Sequence, residues 1–248
     1  MSTPELPTIP EPTLFENLLR LDGKCAVVTG GTRGLGEATV RRLAEAGAAV
    51  VFTGRGEDAL ARVKDQLGTE GLTVLGVRAD VASIADSRRV IDIAAQRFGR
   101  VDILVNNAAL YTPSFALETS EELFDSIVGA DLKGAFFLAQ FAAKAMIDAG
   151  GGGRIINLLS TDAFKPMGPL AAYASAKAGL WAATQNLAKG LAPHRILVNA
   201  ITPGSTITQE RLDMFRTAPS PPPRCRPEPR RPSADYRPRW MPERLRPC

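Results

Sequence analysis

Between residues 24 and 208, short apolar runs rich in Val, Ile and Leu alternate with longer stretches whose apolar side chains recur every three or four residues. Strands are expected at 24–30, 49–53, 73–78, 103–106, 154–159 and 196–200. Most of these are near-continuous apolar runs, the signature of strands covered on both faces. The intervening periodic stretches predict helices at 35–46, 58–67, 87–98, 132–149 and 172–191. This order is that of repeated βαβ units, so the expected fold class is α/β, a doubly wound Rossmann fold with a mostly parallel sheet. Three segments are expected: an N-terminal extension over 1–20, one α/β domain over 21–215, and an aberrant tail over 216–248. Within the extension, Leu14, Phe15, Leu18 and Leu19 are spaced to form a short docked helix.

Composition changes this picture mainly at the C-terminus. Ten of the nineteen prolines lie beyond Ala218, and no period of 2 or 3.6 survives there, so the tail is expected to be disordered. Its eight arginines face Glu228, Asp235 and Glu243, contributing +5 to a formal net charge of +4 and leaving −1 for the rest. The basic balance is therefore not a folded nucleic-acid face, and no nucleic-acid partner is expected. No run of 18 apolar residues occurs, and the first sixteen residues are acidic and proline-bearing, so a cytoplasmic protein with no membrane partner is expected. Cys25, Cys225 and Cys248 lack zinc-site spacing, and no metal site is expected. Cys25 lies in an apolar run and reads as core.

The first strand runs into Thr29-Gly30-Gly31-Thr32-Arg33-Gly34-Leu35-Gly36, and a helix begins near the last glycine. Glycines at such a strand-to-helix turn let a pyrophosphate approach the backbone, and the helix N-terminus presents unpaired N–H groups to it. A dinucleotide site is the reading. At the end of the second strand, where an acid would accept from a ribose 2′-hydroxyl, Gly54 stands, followed by Arg55. With Arg33, Arg55 offers cations for a 2′-phosphate, which favours NADP(H) over NAD(H).

Tyr173 and Lys177 lie one turn apart on one face of the helix at 172–191. An ammonium beside a phenol favours the phenolate and brings it toward a useful range. Ser160, thirteen residues before Tyr173 at a strand end, can hydrogen-bond a reacting oxygen. Between them, Phe164, Met167 and Leu170 suggest a partly apolar substrate wall. His194, just before the sixth strand, reads as a surface loop residue.

Taken together, these residues resemble the short-chain dehydrogenase/reductase family across roughly 21–208. The match comprises the TGxxxGxG spacing of Thr29, Gly30, Gly34, Leu35 and Gly36, then Asp80-Val81, Asn106-Asn107-Ala108, Ser160 with Tyr173 and Lys177, and Pro203-Gly204 with Thr208. The resemblance implies hydride transfer at the nicotinamide C4, with Tyr173 as acid or base and Ser160 positioning the reacting oxygen. Lys177 would bind the ribose and lower the tyrosine pKa. Asp80 and Val81 would meet the adenine, Asn107 the adenosine side and Thr208 the carboxamide end, with Ala108, Pro203 and Gly204 also among the cofactor-binding residues. It also implies a homo-oligomer, a tetramer in the family, and here a dimer through the helices around Leu132 and Tyr173. A ketone of 3-oxoacyl, sugar or polyketide-like type, paired with its secondary alcohol, is the implied small-molecule substrate.

Three departures from the family pattern stand out. The family's fourth catalytic residue is an Asn in Asn-Leu-x-Gly, and this chain has Asp131-Leu132-Lys133-Gly134. Asp131 can serve through its main-chain carbonyl, or weaken the relay if an amide donor is needed. Ala109 replaces a usual glycine and would crowd the cofactor if that position needs positive φ. Beyond Thr208 the family's covering helices and seventh strand give way to the arginine-proline tail, which predicts a reading-frame shift between about Met214 and Pro223. One base later, Trp240-Met241-Pro242 must read Gly-Cys, preceded by a codon that can encode Asp, close to the family's Asp-Gly ending. The alternative function is a catalytically impaired nucleotide-binding protein, and a third reading makes the Pro221-Pro222-Pro223 run an adaptor ligand.

Overall fold

The computed structural model describes residues 19–166, 168–208, 212 and 213. The docked helix expected over Leu14 to Leu18, the Met167 part of the substrate wall and the tail from 216 lie outside them. The chain divides into two units, Met1–Thr208 and Gln209–Cys248, and the fold and site described below belong to the first. Leu19, the one described member of the docked-helix group, is exposed.

Six strands, β1 (Cys25–Val28), β2 (Ala49–Gly54), β3 (Val74–Arg78), β4 (Ile103–Asn106), β5 (Gly153–Leu158) and β6 (Ile196–Ile201), form one sheet in the order β3-β2-β1-β4-β5-β6. Every pairing is parallel. This is the doubly wound arrangement read from the sequence. Its strand order reverses between β1 and β4, which opens a crevice at their carboxyl ends, the place where such sheets bind ligands.

Side-chain alternation along the strands builds two cores. Cys25, Val27, Val51, Leu104, Ile155 and Ile196 point to one face, under α3 (Ile84–Phe98) and α5 (Ala135–Asp148). Ala26, Val28, Val50, Phe52 and Val105 point to the other, under α1 (Gly34–Glu45) and α2 (Glu57–Thr69). Two faces buried by two helix layers explain why the central strands carry no polar alternation. The Cys25 thiol, taken from water, is pushed up to about 12 and behaves as core. Outside the central strands the covering thins, and Leu197 and Ile201 on β6 are about half exposed.

Helix ends follow local chemistry. Ser83 caps α3 by accepting from the Asp86 N–H at 3.2 Å, so the helix starts at Ile84, three residues ahead of the expected start, and Gly99 ends it at φ 76°. One helix went unread: α4 (Glu121–Val128), capped by the Ser120 hydroxyl on the Leu123 N–H at 3.3 Å. It continues through a π-helical stretch, Gly129–Gly134, into α5, so the helix expected from Leu132 has its regular part only from Ala135. α6 (Ala171–Leu191) carries the Tyr-Lys pair. Before β6 the exposed His194 ends a short 3-10 turn, the surface position expected for it.

Candidate active site

The glycine turn sits where β1 meets α1, at the crevice. Gly30 and Gly34 hold φ of 64° and 54°, values that side chains strain to adopt. Gly36 serves a different need. A Cβ there would lie 2.0 Å from the Gly30 carbonyl oxygen and 2.5 Å from the Asn107 amide nitrogen, so only glycine lets α1 start this close to the turn. No side chain caps α1 at Arg33, which leaves its first N–H groups for a ligand. A turn glycines alone can fill, under an uncapped helix, fits a dinucleotide pyrophosphate.

Thr29 and Asn107 brace this turn from either side of the crevice. The Thr29 hydroxyl accepts from the Asn107 and Ala108 N–H groups, each at 3.0 Å. The Asn107 amide donates to the Thr29 carbonyl at 2.9 Å and to that of Gly30 at 3.2 Å. Asn107 therefore spends its amide donors on the turn. Ala109 is not at positive φ, since Arg195 alone among described non-glycine residues is, so the position does not need a glycine's backbone freedom. Asp80 carries two roles in its own loop, its Oδ1 accepting from Ala82 N–H at 3.0 Å while its N–H donates to Asp86 at 2.9 Å. Val81 is half-buried beside it.

At the end of β2, a Cβ on Gly54 would lie 2.6 Å from the Thr32 methyl, so the position has no room for an acid. Arg55 follows, exposed, and its carbonyl accepts from Arg78 Nε at 3.2 Å, a third cation at this corner that the sequence reading passed over. Pairing of Gly54 with Arg78 across β2 and β3 is what brings it there. Arg33 is also exposed.

The proton-handling residues gather at the carboxyl end of β5. Ser160 and Tyr173 are buried, and the Ser160 hydroxyl donates to Asp162 Oδ2 at 3.0 Å. Tyr111, in the loop after β4, sets its ring edge-on to Tyr173 at 5.1 Å between centroids. Under them, the Asn106 amide donates to Asn157 Oδ1 at 2.9 Å and the Asn157 amide to the Thr184 hydroxyl at 2.8 Å, tying β4, β5 and α6 into a fixed floor. Asp162 and Tyr111 were missed, though an acid two residues after Ser160 was a visible signal. The loop Pro203, Gly204 and Thr208 follows β6, with the Thr206 hydroxyl donating to the Gly204 carbonyl at 3.2 Å.

Lys177, on α6, has two partners inside the protein. Its ammonium is buried, donates to the Leu158 carbonyl at 2.9 Å, and lies 3.4 Å from Asp131 Oδ2. The other Asp131 oxygen accepts from the Leu110 N–H at 2.7 Å. Asp131 is fully buried, placed by the π-helical stretch, and Gly134 lets that stretch approach because a Cβ there would meet the Val81 carbonyl at 2.0 Å. Burial raises the Asp131 carboxyl against the pull of Lys177 and the Leu110 amide, and lowers the Lys177 ammonium against Asp131. The Tyr173 phenol is pushed up to about 12, chiefly by burial, with Asp131, Asp162 and Tyr111 adding and a hydrogen bond with Ser160 opposing. In the free protein the phenol is thus held away from ionisation. The substrate wall is also smaller than expected: Leu170 is buried in the cluster of Ile127, Ala172 and Tyr173, while the exposed Phe164 packs edge-on to Trp181 at 5.9 Å.

A glycine-lined pyrophosphate turn at the switch point, with Ser, Tyr and Lys gathered at the carboxyl end of β5, defines a dinucleotide-dependent α/β oxidoreductase. The family model described as short chain dehydrogenase matches residues 24–217. A 2-dehydro-3-deoxy-D-gluconate 5-dehydrogenase of Escherichia coli is 38% identical over 202 residues, 80% of this chain and 79% of that one. An L-rhamnose 1-dehydrogenase (NAD(P)(+)) of Azotobacter vinelandii is 35% identical over 189 residues, 75% of this chain and 74% of its own. A short chain dehydrogenase of Burkholderia cenocepacia, solved in complex with NADP, superposes with a TM-score of 0.73 at 35% identity, covering 77% of each chain. The chain belongs to the short-chain dehydrogenase/reductase family, whose chemistry joins alcohols and carbonyls. Among the described residues no helix is long and apolar enough to cross a membrane, and no group of His, Cys, Asp and Glu could hold a metal.

Proposed function

We propose that this protein is an NADP(H)-dependent oxidoreductase that interconverts a ketone and a secondary alcohol. The observation that carries the reading is the gathering of the Ser160 hydroxyl, the Tyr173 phenol and the Lys177 ammonium around the end of β5. Bound dinucleotide would supply or take the hydride at its nicotinamide C4. The chain's own residues do the rest. Tyr173 gives its proton to a carbonyl oxygen or takes it from an alcohol, and Ser160 hydrogen-bonds the same oxygen. Lys177 holds the cofactor ribose, and Thr29 and Asn107 keep the pyrophosphate turn in shape.

Preference for the 2′-phosphate rests on Gly54, where no acid fits, on Arg55 and Arg78 meeting beside it, and on the exposed Arg33 of the glycine turn; Glu57, 3.4 Å from Arg78, takes up part of that positive charge. The sugar dehydrogenases among the relatives favour a hydroxylated carbonyl compound, and Asp162 beside Ser160 is suited to accept from a neighbouring hydroxyl. Purified protein mixed with NADPH and a panel of ketoses, aldoses and simple ketones, followed by loss of the reduced cofactor's absorbance, tests the reading. Turnover with NADPH at least tenfold above NADH, abolished in Tyr173→Phe, is expected. Tight NADPH binding without turnover on any carbonyl would leave a nucleotide-binding protein instead.

A further inference from the structure

Asp131 is an ionisable residue at the inner end of the site, with a place and partners of its own. Its side chain has no exposure, and that of Lys177 has 2%. One carboxylate oxygen is held by the Leu110 N–H, in the loop that also carries Tyr111, and the other faces the Lys177 ammonium at 3.4 Å without a hydrogen bond of good geometry. Lys177 Nζ is in turn 5.6 Å from the centre of the Tyr173 ring. The phenol is thus the next group along from a pair of opposite charges.

A buried acid and a buried amine in contact have one property that does not depend on which of them holds the proton. Their net charge is zero in either state. Tyr173 therefore experiences a dipole, where a lone ammonium at the same distance would supply a full positive charge and favour the phenolate. The other charged or titratable groups facing the phenol do not restore it. Asp162, from the turn after β5, is acidic, and Tyr111, from the loop after β4, is neutral as a phenol. Among the described residues Lys177 is the cation within the site, and Asp131 cancels it.

We propose that Asp131 is a counter-ion that holds the site in its proton-donating state: by cancelling the charge of Lys177 it keeps Tyr173 a neutral phenol at neutral pH. The phenol then has a proton ready for a carbonyl oxygen, and carbonyl reduction is the direction favoured near neutrality. Alcohol oxidation needs the phenolate and is confined to alkaline solution. Asp131 acts through Lys177 and the phenol, so it is a positioning residue for the proton, and it touches no substrate. The catalytic consequence rests on Tyr173 being the acid-base group proposed above, whereas the ionisation itself can be read without substrate or cofactor.

The chain has three tyrosines, so replacing Tyr111 and Tyr236 by Phe leaves Tyr173 as the one phenol. Its ionisation is followed by tyrosinate absorbance at about 295 nm, within the pH range where near-ultraviolet circular dichroism shows the protein folded. In this parent the phenol should stay protonated through that range. In Asp131→Asn, which keeps an oxygen for the Leu110 N–H, the midpoint should fall by roughly one to two pH units, the effect of an uncancelled charge about 6 Å away. Asp131→Ser should shift it in the same direction. The double variant Asp131→Asn, Lys177→Met again has no net charge at this point and should return to the parental behaviour. A midpoint unchanged or raised in whichever neutral variants fold overturns the proposal. As a second readout, the acid limb of kcat for alcohol oxidation should move down in pH by the same amount in Asp131→Asn. Absence of turnover in every variant, with the phenol shifting as expected, would refute the proposed activity and leave the counter-ion intact. Turnover with an unmoved phenol would do the opposite.

Discussion

Gly36→Ala is a one-methyl change whose outcome can be worked from the surrounding atoms. The added carbon would sit 2.0 Å from the Gly30 carbonyl oxygen, 2.5 Å from the Asn107 amide nitrogen and 2.9 Å from the Gly30 carbonyl carbon. Carbon and oxygen pack no closer than about 3 Å, so α1 and the turn must separate by about 1 Å, and two of the obstructing atoms are backbone that cannot rotate away. Overpacking of this kind costs about 3 kcal/mol, the upper part of its usual range. Against it, alanine is the better helix former by about 1 kcal/mol. Strain wins, leaving about 2 kcal/mol of destabilisation, which for a chain this size lowers Tm by roughly 4–8 °C. The larger effect is on the ligand: N–H groups moved by about 1 Å from a phosphate forfeit charge-assisted hydrogen bonds worth roughly 1.5–3 kcal/mol each, so NADPH affinity should drop at least tenfold. Thermal melts and titration of NADPH fluorescence read the two effects separately. Gly68→Ala is the control, since its Cβ meets nothing within 4 Å, and it should hold or raise Tm. A Gly36→Ala protein with Tm within about 2 °C and affinity within about twofold of the parent would refute the close-approach argument.

Other expectations follow from single interactions. Asn107→Ala strips the donor from the Thr29 and Gly30 carbonyls, and denaturant melts should show a loss of about 1–3 kcal/mol together with weaker NADPH binding. Asp102 is buried at the amino end of β4; burial pushes its carboxyl up, but hydrogen bonds from Arg100 and the Cys25 N–H, with Lys24 nearby, outweigh that and hold it below the usual range. A depressed folded value stabilises above the ordinary carboxylate range and is lost as pH falls through it, so the Tm gap between parent and Asp102→Asn should be wide at pH 7 and shrink below about pH 4. Asp162→Asn removes a second negative charge near the phenol; the acid limb of alcohol oxidation should move down, by less than in Asp131→Asn, because Asp162 is half-buried and better screened.

The strands were legible because burial on both faces imposes an unbroken apolar run, and β4, for one, falls where Ile103-Leu104-Val105-Asn106 places it. α4 was not, although Leu123, Phe124, Ile127 and Val128 recur at helical spacing, because eight residues give barely two turns in which a period can repeat. The π-helical stretch is a matter of main-chain hydrogen bonding and left no compositional trace. Motif residues that act near their own strand end, such as Thr29, Gly36 and Ser160, were readable from order and spacing. Meetings between distant segments were not: Asp131 and Lys177 are 46 positions apart, and their approach depends on Gly134 and Gly179 letting the π-helical stretch settle between the β3 loop and α6. Leu170 shows the opposite error. An apolar residue between two site residues looked like a wall, yet one turn of Leu170 into the cluster below Tyr173 makes it part of the floor.

The charge at position 131 also has a meaning at the level of the gene. Asp and Asn codons differ by one G-to-A transition, so the acidic form of this site and its neutral counterpart are a single mutational step apart, with no change in the size of the side chain. Random mutagenesis of this chain, screened for alcohol oxidation at pH 7, should therefore recover Asp131→Asn among its earliest single-base hits.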